Sequence, residues 1–450
     1  MTLFVSSTAN DQLSQFAMDI QSITLTDQAG KTATLSNAPH LFDEFIHLNG
    51  GVQPLMTVSV PQGTYASASV SVDSAMSDCA YYDPSSGLSG SYTASNQGSV
   101  STTTSIPAPI TITGTSMALE LNLQASQSIN IASFSNCYGL ASSGLAPAFT
   151  PTFTLSPMAL IPQPTNSANG KAFGLRGQIS SLSGNGSAFI VTGGFGSGSN
   201  PPVWQVTTSG STLFQGVSGY SRLTVGMPVD MDAAIQSDGS LAASRVNVLD
   251  TNTSNLSYFI GPLMDVNLLP PYPPDSDILI VENQGQNYAG LEGGTPFKNT
   301  SAAFQISSGI TNLSQLPFTA TFTASNMVPG QFVIATTHSP QYSLPVMSTV
   351  TLIPQTIDGT VTATSGSGTF TVYTVTLASY DLFPNLAQRP NMPHLITDPG
   401  TVEVYVDSST LILSPVPAEV GTVMRFNGLI FNDNGVLRMD CAQINDGVPE

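Results

Sequence analysis

A hairpin-like stretch recurs three times in this chain and constrains its fold more than any other feature. The clearest copy, residues 226–249, alternates apolar and polar residues on both sides of Asp238-Gly239. A second copy, residues 421–444, has Asn434-Gly435 at the same place, and a looser copy, residues 329–352, has a longer loop there. Alternation around a tight turn is typical of a β-hairpin. The repetition predicts three related β-units.

The rest of the chain extends this plan to an all-β protein. Short alternating runs rich in β-branched residues recur from the first residues onward, whereas helical periodicity is rare. A stretch rich in Pro, Ser and Asn, residues 156–173, has the composition of a linker. A glycine lies in the first strand of each repeat, as a tightly coiled strand of a small closed barrel needs: Gly177, Gly261 and Gly359. We expect an N-terminal sandwich over residues 1–160 and barrel repeats over residues 174–252, 257–355 and 356–450.

The composition excludes nucleic acid as a partner. Only 9 residues are Lys or Arg, 28 are Asp or Glu, and the net charge is −19. Binding to a phosphate backbone needs clustered cations, and here they are scattered. The same charge argues against an anionic membrane surface. No apolar run is long enough to span a bilayer, and we expect an exported chain whose signal segment, with or without a lipid anchor, lies upstream.

Pairing two of the three cysteines presumes an oxidising compartment. Cys79 and Cys137 lie in the first domain in similar aromatic surroundings, and we pair them as a disulfide. Two buried free thiols are the alternative. Cys441 lies in a predicted strand, where we expect a buried, inert thiol.

The first domain resembles a known family through three motifs. These are DQLSQFAMDIQSITL, DEFIHLNG and VPQGTYASASVSV, which together cover roughly the first 80 residues. In the last motif, Pro and Gly form a turn and Tyr65 re-enters the sheet with its hydroxyl free to find a partner. The order is similar to that of an uncharacterised family of Ig-like domains in exported bacterial lipoproteins. The resemblance implies an Ig-like β-sandwich and an extracellular or outer-surface location, and it supplies no catalytic residue.

The repeats resemble a second uncharacterised family, that of small β-barrel domains in exported bacterial proteins. The shared pattern is a G-x-I/V strand, a T-x-L/F element, a G-x-x-V strand and a final DG-x-L hairpin. It covers the first and third repeats well and the second poorly. The resemblance implies tandem barrels with no assigned chemistry.

Acidic residues offer the only metal hypothesis. Asp275, Asp277 and Glu282 on a Pro-rich loop are weak Ca²⁺ candidates, and two further acidic pairs are weaker alternatives: Asp230 with Asp232, and Asp78 with Asp83. Ca²⁺ takes about six or more oxygen ligands, and each group supplies only two or three side chains. Solvated loop acids are therefore the preferred interpretation.

Other catalytic or ligand-binding patterns are weak. The four histidines, His40, His47, His338 and His394, are too far apart in sequence to form a ligand pair on one face. The glycine-rich residues 194–199 lack the Lys and the following helix of a phosphate-binding loop. Sugar clefts need several exposed aromatic rings, but the chain has one tryptophan, Trp204, and a few tyrosines: Tyr81, Tyr82, Tyr272 and Tyr288. Packing in the core or in turns is the preferred interpretation of these aromatic residues.

These observations favour a non-catalytic, exported bacterial surface or extracellular structural protein. One extension is self-association into a filament or layer, with the first strand, Leu3, Phe4 and Val5, adding to a neighbour's sheet. The alternative is an adhesin-like module that binds a glycan or another surface ligand through the loops at residues 272–277 or 381–394. A hydrolase ranks third.

Overall fold

The computed structural model is almost entirely β, which confirms the predicted class. Each sheet takes its strands from one of four consecutive stretches, here named unit 1 (within residues 2–157), unit 2 (171–249), unit 3 (256–353) and unit 4 (355–447). The residues described are 2–7, 15–36, 40–42, 53–83, 88–104, 109–113, 118–130, 148–157, 171–193, 203–236, 240–266, 276–281, 283–284, 293–307, 313–339, 344–378, 381–386, 396–412, 414 and 416–447. In this part of the chain, no helix is both long and apolar enough to cross a membrane.

Unit 1 consists of two main sheets. Their strand orders are β12-β9-β1-β5 and β3-β2-β6-β7, with β4 also paired to β2 and β8 to β6. The elements are β1 (Thr2–Ser7), β2 (Gln15–Asp27), β3 (Thr32–Ser36), β4 (His40–Phe42), β5 (Gln53–Thr57), β6 (Gly63–Asp83), β7 (Leu88–Thr104), β8 (Ile110–Ile112), β9 (Ala118–Leu123), α1 (Ala125–Ser128), β10 (Ile129–Asn130), β11 (Ala148–Phe149) and β12 (Phe153–Pro157).

The two sheets of unit 1 share one apolar core. Because side chains alternate along a strand, Leu3 and Val5 of β1 point to the same face. There they join Ile20 of β2 and Val70 of β6, which belong to the other sheet. Phe4 points to the opposite face of β1 and joins the core of unit 2.

The strand expected to mediate self-association is not an edge strand. β1 pairs with β5 on one side and with β9 on the other, and Leu3, Phe4 and Val5 are fully buried. The prediction of a free edge at these residues is therefore wrong. The sequence shows an apolar first strand, but the two partner strands come from residues far along the chain.

Tyr65 behaves as its turn motif predicts. Its ring is buried in the core of unit 1, and its hydroxyl donates a 2.9 Å hydrogen bond to the Pro61 carbonyl oxygen. The bond ties the turn at residues 61–63 to the start of β6. The motif therefore specifies how the chain enters its longest strand.

Removal of this hydroxyl tests the role of the turn. We expect Tyr65→Phe to lower the free energy of unfolding by about 0.5–1.5 kcal/mol, since one hydrogen bond is lost and the ring remains. Hydrogen-exchange mass spectrometry should show faster exchange in residues 61–72. Tyr65→Leu, which also removes the ring, should cost more. Unchanged exchange in Tyr65→Phe would contradict a role for the bond.

Units 2 to 4 repeat one strand plan. The elements of unit 2 are β13 (Lys171–Leu182), β14 (Ala188–Gly193), β15 (Val203–Thr207), β16 (Leu213–Gln215), β17 (Pro228–Ile235) and β18 (Leu241–Val248). Those of unit 3 are β19 (Ser257–Asp265), β20 (Ser276–Val281), β21 (Asn283–Gln284), β22 (Gly293–Lys298), β23 (Ala303–Ile306), β24 (Phe332–Thr337) and β25 (Met347–Leu352). Those of unit 4 are β26 (Gln355–Ser367), β27 (Phe370–Leu377), α2 (Leu382–Leu386), β28 (Thr401–Val406), β29 (Leu411–Ile412), β30 (Val423–Asp433) and β31 (Val436–Asp446).

Two of these three sheets close on themselves. In unit 2 the order is β15-β14-β13-β17-β18, and β15 also pairs with β18. Unit 4 repeats this as β28-β27-β26-β30-β31, with β28 paired to β31. In unit 3 the order is β22-β20-β19-β24-β25-β23, and the described residues contain no closing pair. This divergence agrees with the poor match of the second repeat to the sequence pattern.

Glycines lie where the strands of a ring approach most closely. A Cβ atom built on Gly177 would lie 2.4 Å from the Thr192 carbonyl oxygen, and one on Gly359 would lie 2.3 Å from that of Thr376. Any larger side chain would have to displace backbone. The predicted need for glycine is thus confirmed at Gly177 and Gly359.

The predicted hairpins are also present. Their first and second strands pair antiparallel in all three copies. At the final turn, Asn434 and Gly435 both have positive φ, 54° and 92°, as a tight two-residue turn requires. The Asp238-Gly239 turn lies outside the described residues.

Candidate functional site

The most unusual group of side chains lies on the outside of the unit 2 ring. Val229 and Met231 of β17 point into the ring core, so Asp230 and Asp232, which alternate with them, point outward. Arg176 on β13 stands opposite Asp230, and Arg245 on β18 stands opposite Asp232. Together with Ser307 of unit 3, these four residues are here named the Arg245 cluster. All five are buried.

Arg245 makes ionic contacts to both acids. Its Nε lies 2.8 Å from Asp232 Oδ2 and its Nη2 lies 3.0 Å from Asp232 Oδ1, so that pair is bidentate. Its Nη1 donates a 3.0 Å bond to Asp230 Oδ2. Arg176 Nε lies 3.6 Å from the other oxygen of Asp230. The two cations and two anions balance, as buried charges need.

Unit 3 completes the cluster. The Ser307 hydroxyl, directly after β23, donates a 2.7 Å hydrogen bond to Asp230 Oδ2 and accepts one of 3.3 Å from Arg245 Nη1. Beside it, Gln215 Nε2 donates to the Ile306 carbonyl oxygen at 3.0 Å. The ion pairs of unit 2 are therefore covered by the end of a strand from unit 3. The Arg245 cluster forms part of the junction between these units.

The surroundings keep Asp230 and Arg245 charged. Burial by itself raises the pKa of Asp230, but the positive charges of Arg245 and Arg176 and the Ser307 hydrogen bond outweigh it, so the pKa lies below its ordinary value. Burial likewise lowers the pKa of Arg245, but Asp232 and Asp230 more than compensate and raise it. A carboxylate fixed in this way is a poor proton acceptor. The arrangement suits structural stabilisation and not acid–base catalysis.

The lowered pKa of Asp230 predicts how stability depends on pH. A group whose folded-state pKa is depressed contributes stability above its unfolded pKa, here near the ordinary value of 3.8, and loses it as pH falls through the folded value. The stability difference between wild type and Asp230→Asn should be constant from about pH 7 to 5 and should shrink below about pH 4. Denaturant unfolding followed by the fluorescence of Trp204, the single tryptophan and a buried residue of unit 2, measures it. A difference that grows on acidification would contradict the ion-pair assignment.

Of the weak Ca²⁺ candidates, only Asp277 lies in the described part of the chain. Asp277 is fully buried in β20, and its carboxylate accepts a hydrogen bond from the Asn299 side chain. The expectation of a solvated loop acid is wrong there, because Asp277 lies on a covered strand face. Asp275 and Glu282 lie outside the described residues. Within the residues that are described, no three His, Cys, Asp or Glu side chains come together as metal ligands.

The alternative acidic pairs have different outcomes. Asp230 and Asp232 belong to the Arg245 cluster, so the interpretation as solvated loop acids is wrong for them too. Asp78 and Asp83 lie in β6, where their side chains are not described. The sequence signal for the cluster was present as acids alternating with apolar residues in a strand, but the partner Arg245 could be identified only from the hairpin register.

The structure describes two of the three cysteines, and the side chain of only one of them. Cys79 lies in β6 opposite Tyr92, with its side chain not described, and Cys137 lies outside the described residues. No disulfide occurs in the described part of the chain, so the pairing stays a prediction. Cys441 is buried as predicted, and burial raises the pKa of its thiol.

The histidine and aromatic candidates show structural contacts. His338 Nε2 lies 3.2 Å from Asp250 Oδ2, and its Nδ1 lies 2.9 Å from the Ser254 carbonyl oxygen, so these two residues hold its ring in place. Trp204 is buried in the unit 2 core, where the missing side chain of Gly193 leaves room for its ring. A buried ring cannot stack on a sugar.

The remaining candidates are only partly described. His40 begins β4, and Tyr81 and Tyr82 lie in β6, but their side chains are not described. His47, His394, Tyr272, Tyr288 and the glycine-rich residues 194–199 lie outside the described residues.

Comparison with known proteins gives one family match. A family model described as a domain of unknown function, DUF5666, matches residues 176–247. These residues begin at Arg176 in β13 and end in β18, so the match covers the unit 2 ring and its four charged cluster residues. A search of curated proteins finds no match.

Proposed function

We propose that this chain is a non-catalytic structural protein of the bacterial cell exterior, in which four β-units are held together as one stiff body. The observation that carries the proposal is that neighbouring units share buried side chains. At the first junction, Phe4 and Ala118 of unit 1 pack in the same apolar core as Leu175 and Met231 of unit 2. At the second junction, the Arg245 cluster joins units 2 and 3. Such contacts oppose hinge motion between units.

The junction between units 3 and 4 has an apolar core. Leu429 and Phe431 of β30 point out of the unit 4 ring and into the core of unit 3, beside Phe259 and Val333. Gln331 is fully buried and donates a 2.8 Å hydrogen bond to the Ile430 carbonyl oxygen. Unit 4 therefore completes the core of unit 3.

A cation–π contact adds to this junction. The guanidinium of Arg438 in unit 4 lies 5.6 Å from the ring centroid of Phe318 in unit 3. The same group lies 3.3 Å from Glu403 and 3.2 Å from Asp433. The Phe318 ring also packs against that of Tyr405, with centroids 4.8 Å apart and the ring planes tilted by 52°. Arg438 is thus held by acids of its own unit while it contacts the neighbouring one.

Unit 1 also reaches beyond its immediate neighbour. The paired strands β6 and β7 form a long arm that contacts β19 and β22 of unit 3 and α2 of unit 4. The arm links the first unit to the two most distant ones. This connection supports a single body more strongly than a chain of independent domains.

The finer fold assignments belong to the same proposal. Unit 1 is an Ig-like sandwich, supported by two sheets around one core and by the hydrogen bond from Tyr65 to a carbonyl four residues upstream, a known feature of such sandwiches. Units 2 to 4 are tandem small barrels, supported by the two closed rings and the shared strand plan. The low charge content and scarce Lys and Arg suit an exported surface protein.

The proposal is tested by the cooperativity of unfolding. Trp204 reports on unit 2, whereas far-UV circular dichroism reports on all strands. We expect coincident transitions in both signals, as in a single cooperative body. Separate transitions would show independent units and contradict the proposal.

A screen for hydrolytic activity tests the non-catalytic assignment. We expect no turnover of glycosidic, ester or peptide substrates above that of buffer. An activity abolished by one Asp or Glu substitution would overturn the assignment. Light scattering at rising concentration separately tests self-association, which no longer has a free edge at β1 to support it.

A further inference from the structure

Units 2, 3 and 4 each have one pair of buried residues at the same position of their strand plan, and the three pairs are here named the row. Each pair consists of the residue before the glycine of the first strand and the residue opposite it on the first strand of the hairpin. The pairs are Arg176 with Asp230, Ile260 with Ile334, and Asp358 with Arg425. All six residues are buried.

We propose that this row is a pairing code, which makes the first strand of each unit select the hairpin of its own unit during folding. The need for a code follows from the repetition. The first strands β13, β19 and β26 all pair antiparallel with a hairpin strand in matching register. The backbone alone therefore does not distinguish the correct hairpin from the two others.

If units 2 and 4 exchanged their first strands, residues of like charge would face each other. If β13 paired with β30 in the same register, Arg176 would face Arg425. If β26 paired with β17, Asp358 would face Asp230. Like charges directly opposite each other in an antiparallel pair repel, and burial removes the water that would screen them.

Exchange with unit 3 is opposed by a different mechanism. Arg176 or Asp358 would then face the apolar side chain of Ile334, and a buried charge without a partner is strongly unfavourable. Ile260 opposite Asp230 or Arg425 would remove the charge that faces each of them in the native sheet, although Asp230 keeps Arg245 of its own hairpin. The three pairs thus disfavour every wrong combination of first strand and hairpin.

The charges of the unit 4 pair are reversed relative to those of unit 2, with the Asp on the first strand and the Arg on the hairpin. An Arg on the first strand and an Asp on the hairpin, as in unit 2, would also place opposite charges across this strand pair. It would also make units 2 and 4 interchangeable. Tandem repeats are prone to misassembly between units, and specificity requires a penalty against the wrong partner as well as attraction to the right one.

The test makes the first strands of units 2 and 4 interchangeable. The double variant Asp358→Arg/Arg425→Asp keeps opposite charges facing each other in unit 4 but gives unit 4 the orientation of unit 2. We expect the yield of native monomer on refolding from denaturant to fall several-fold. The control is Arg222→Glu/Glu419→Arg, which exchanges two exposed charges of opposite sign in units 2 and 4, keeps the net charge and leaves the row intact. Its refolding yield should stay several-fold above that of the row variant.

A cysteine trap reads out the pairing itself. Gln178 and Val423 face Pro228 and Thr360 in the native sheets, and they would face each other only if β13 paired with β30. With Gln178→Cys and Val423→Cys added, oxidative refolding should give a 178–423 disulfide in the row variant but not with the natural row. Peptide mapping by mass spectrometry identifies it even where the product is misfolded. Absence of this cross-link in the row variant, whether it folds or not, would overturn the proposal.

Discussion

Replacement of Arg245 by alanine is expected to lower the free energy of unfolding by about 3–5 kcal/mol, because it leaves two buried carboxylates without their main cation. Asp230 and Asp232 both depend on this guanidinium, and Arg176 lies too far from Asp230 to replace its hydrogen bond. Denaturant unfolding followed by Trp204 fluorescence reports on the unit concerned.

Two controls separate the ionic effect from loss of packing. Arg222→Ala removes an exposed cation from the same unit and should change stability by no more than about 0.5 kcal/mol. Replacing the whole group, with Arg245→Met, Asp230→Asn and Asp232→Asn together, should recover most of the loss because no unpaired charge remains. A loss below about 1 kcal/mol in Arg245→Ala would place the cluster among ion pairs of little energetic weight.

Truncation of Phe431 is expected to have an effect of similar size in two units at once. The side chain is fully buried, belongs to unit 4 by sequence and lies in the core of unit 3. Its ring centroid is 5.8 Å from that of Phe318. Phe431→Ala should cost about 3–5 kcal/mol, since it removes apolar contacts and leaves a cavity.

Hydrogen exchange distinguishes coupled units from independent ones. If units 3 and 4 share a core, Phe431→Ala should speed exchange in β24 of unit 3 as well as in β30 of its own unit. Val436→Ala, at an exposed position in the same hairpin, should leave both strands protected. An effect confined to β30 would show that Phe431 stabilises unit 4 alone and would weaken the single-body proposal.

Local sequence was sufficient for the strand content and the hairpins. Alternation in residues 226–249 correctly places Val229 and Met231 in the ring core. Asn434-Gly435 specifies its own turn because both residues tolerate positive φ. The turn before β6 likewise fixes the position of Tyr65. These features depend on residues close together in the chain.

The failures share a cause, which is contact between distant segments. Local sequence makes Leu3, Phe4 and Val5 an apolar strand. Whether this strand lies at the edge of its sheet depends on β5 and β9, which pair with it on both sides. Asp277 lies in a stretch that favours a loop by composition, and only the strand ladder buries it. Asp230 and Asp232 give no sign of their partner until the register places Arg245 opposite.

The sequence by itself determined the strands, the tight turns and the repetition, because alternation and backbone preference act over a few residues. The tertiary structure alone decided which outward faces are covered and by what. Whether a charge on such a face meets water, an ion partner or the next unit depends on how the units pack. That packing buries Asp230 and Asp232 at a junction with Ser307, and it places Phe431 in the core of a neighbouring unit.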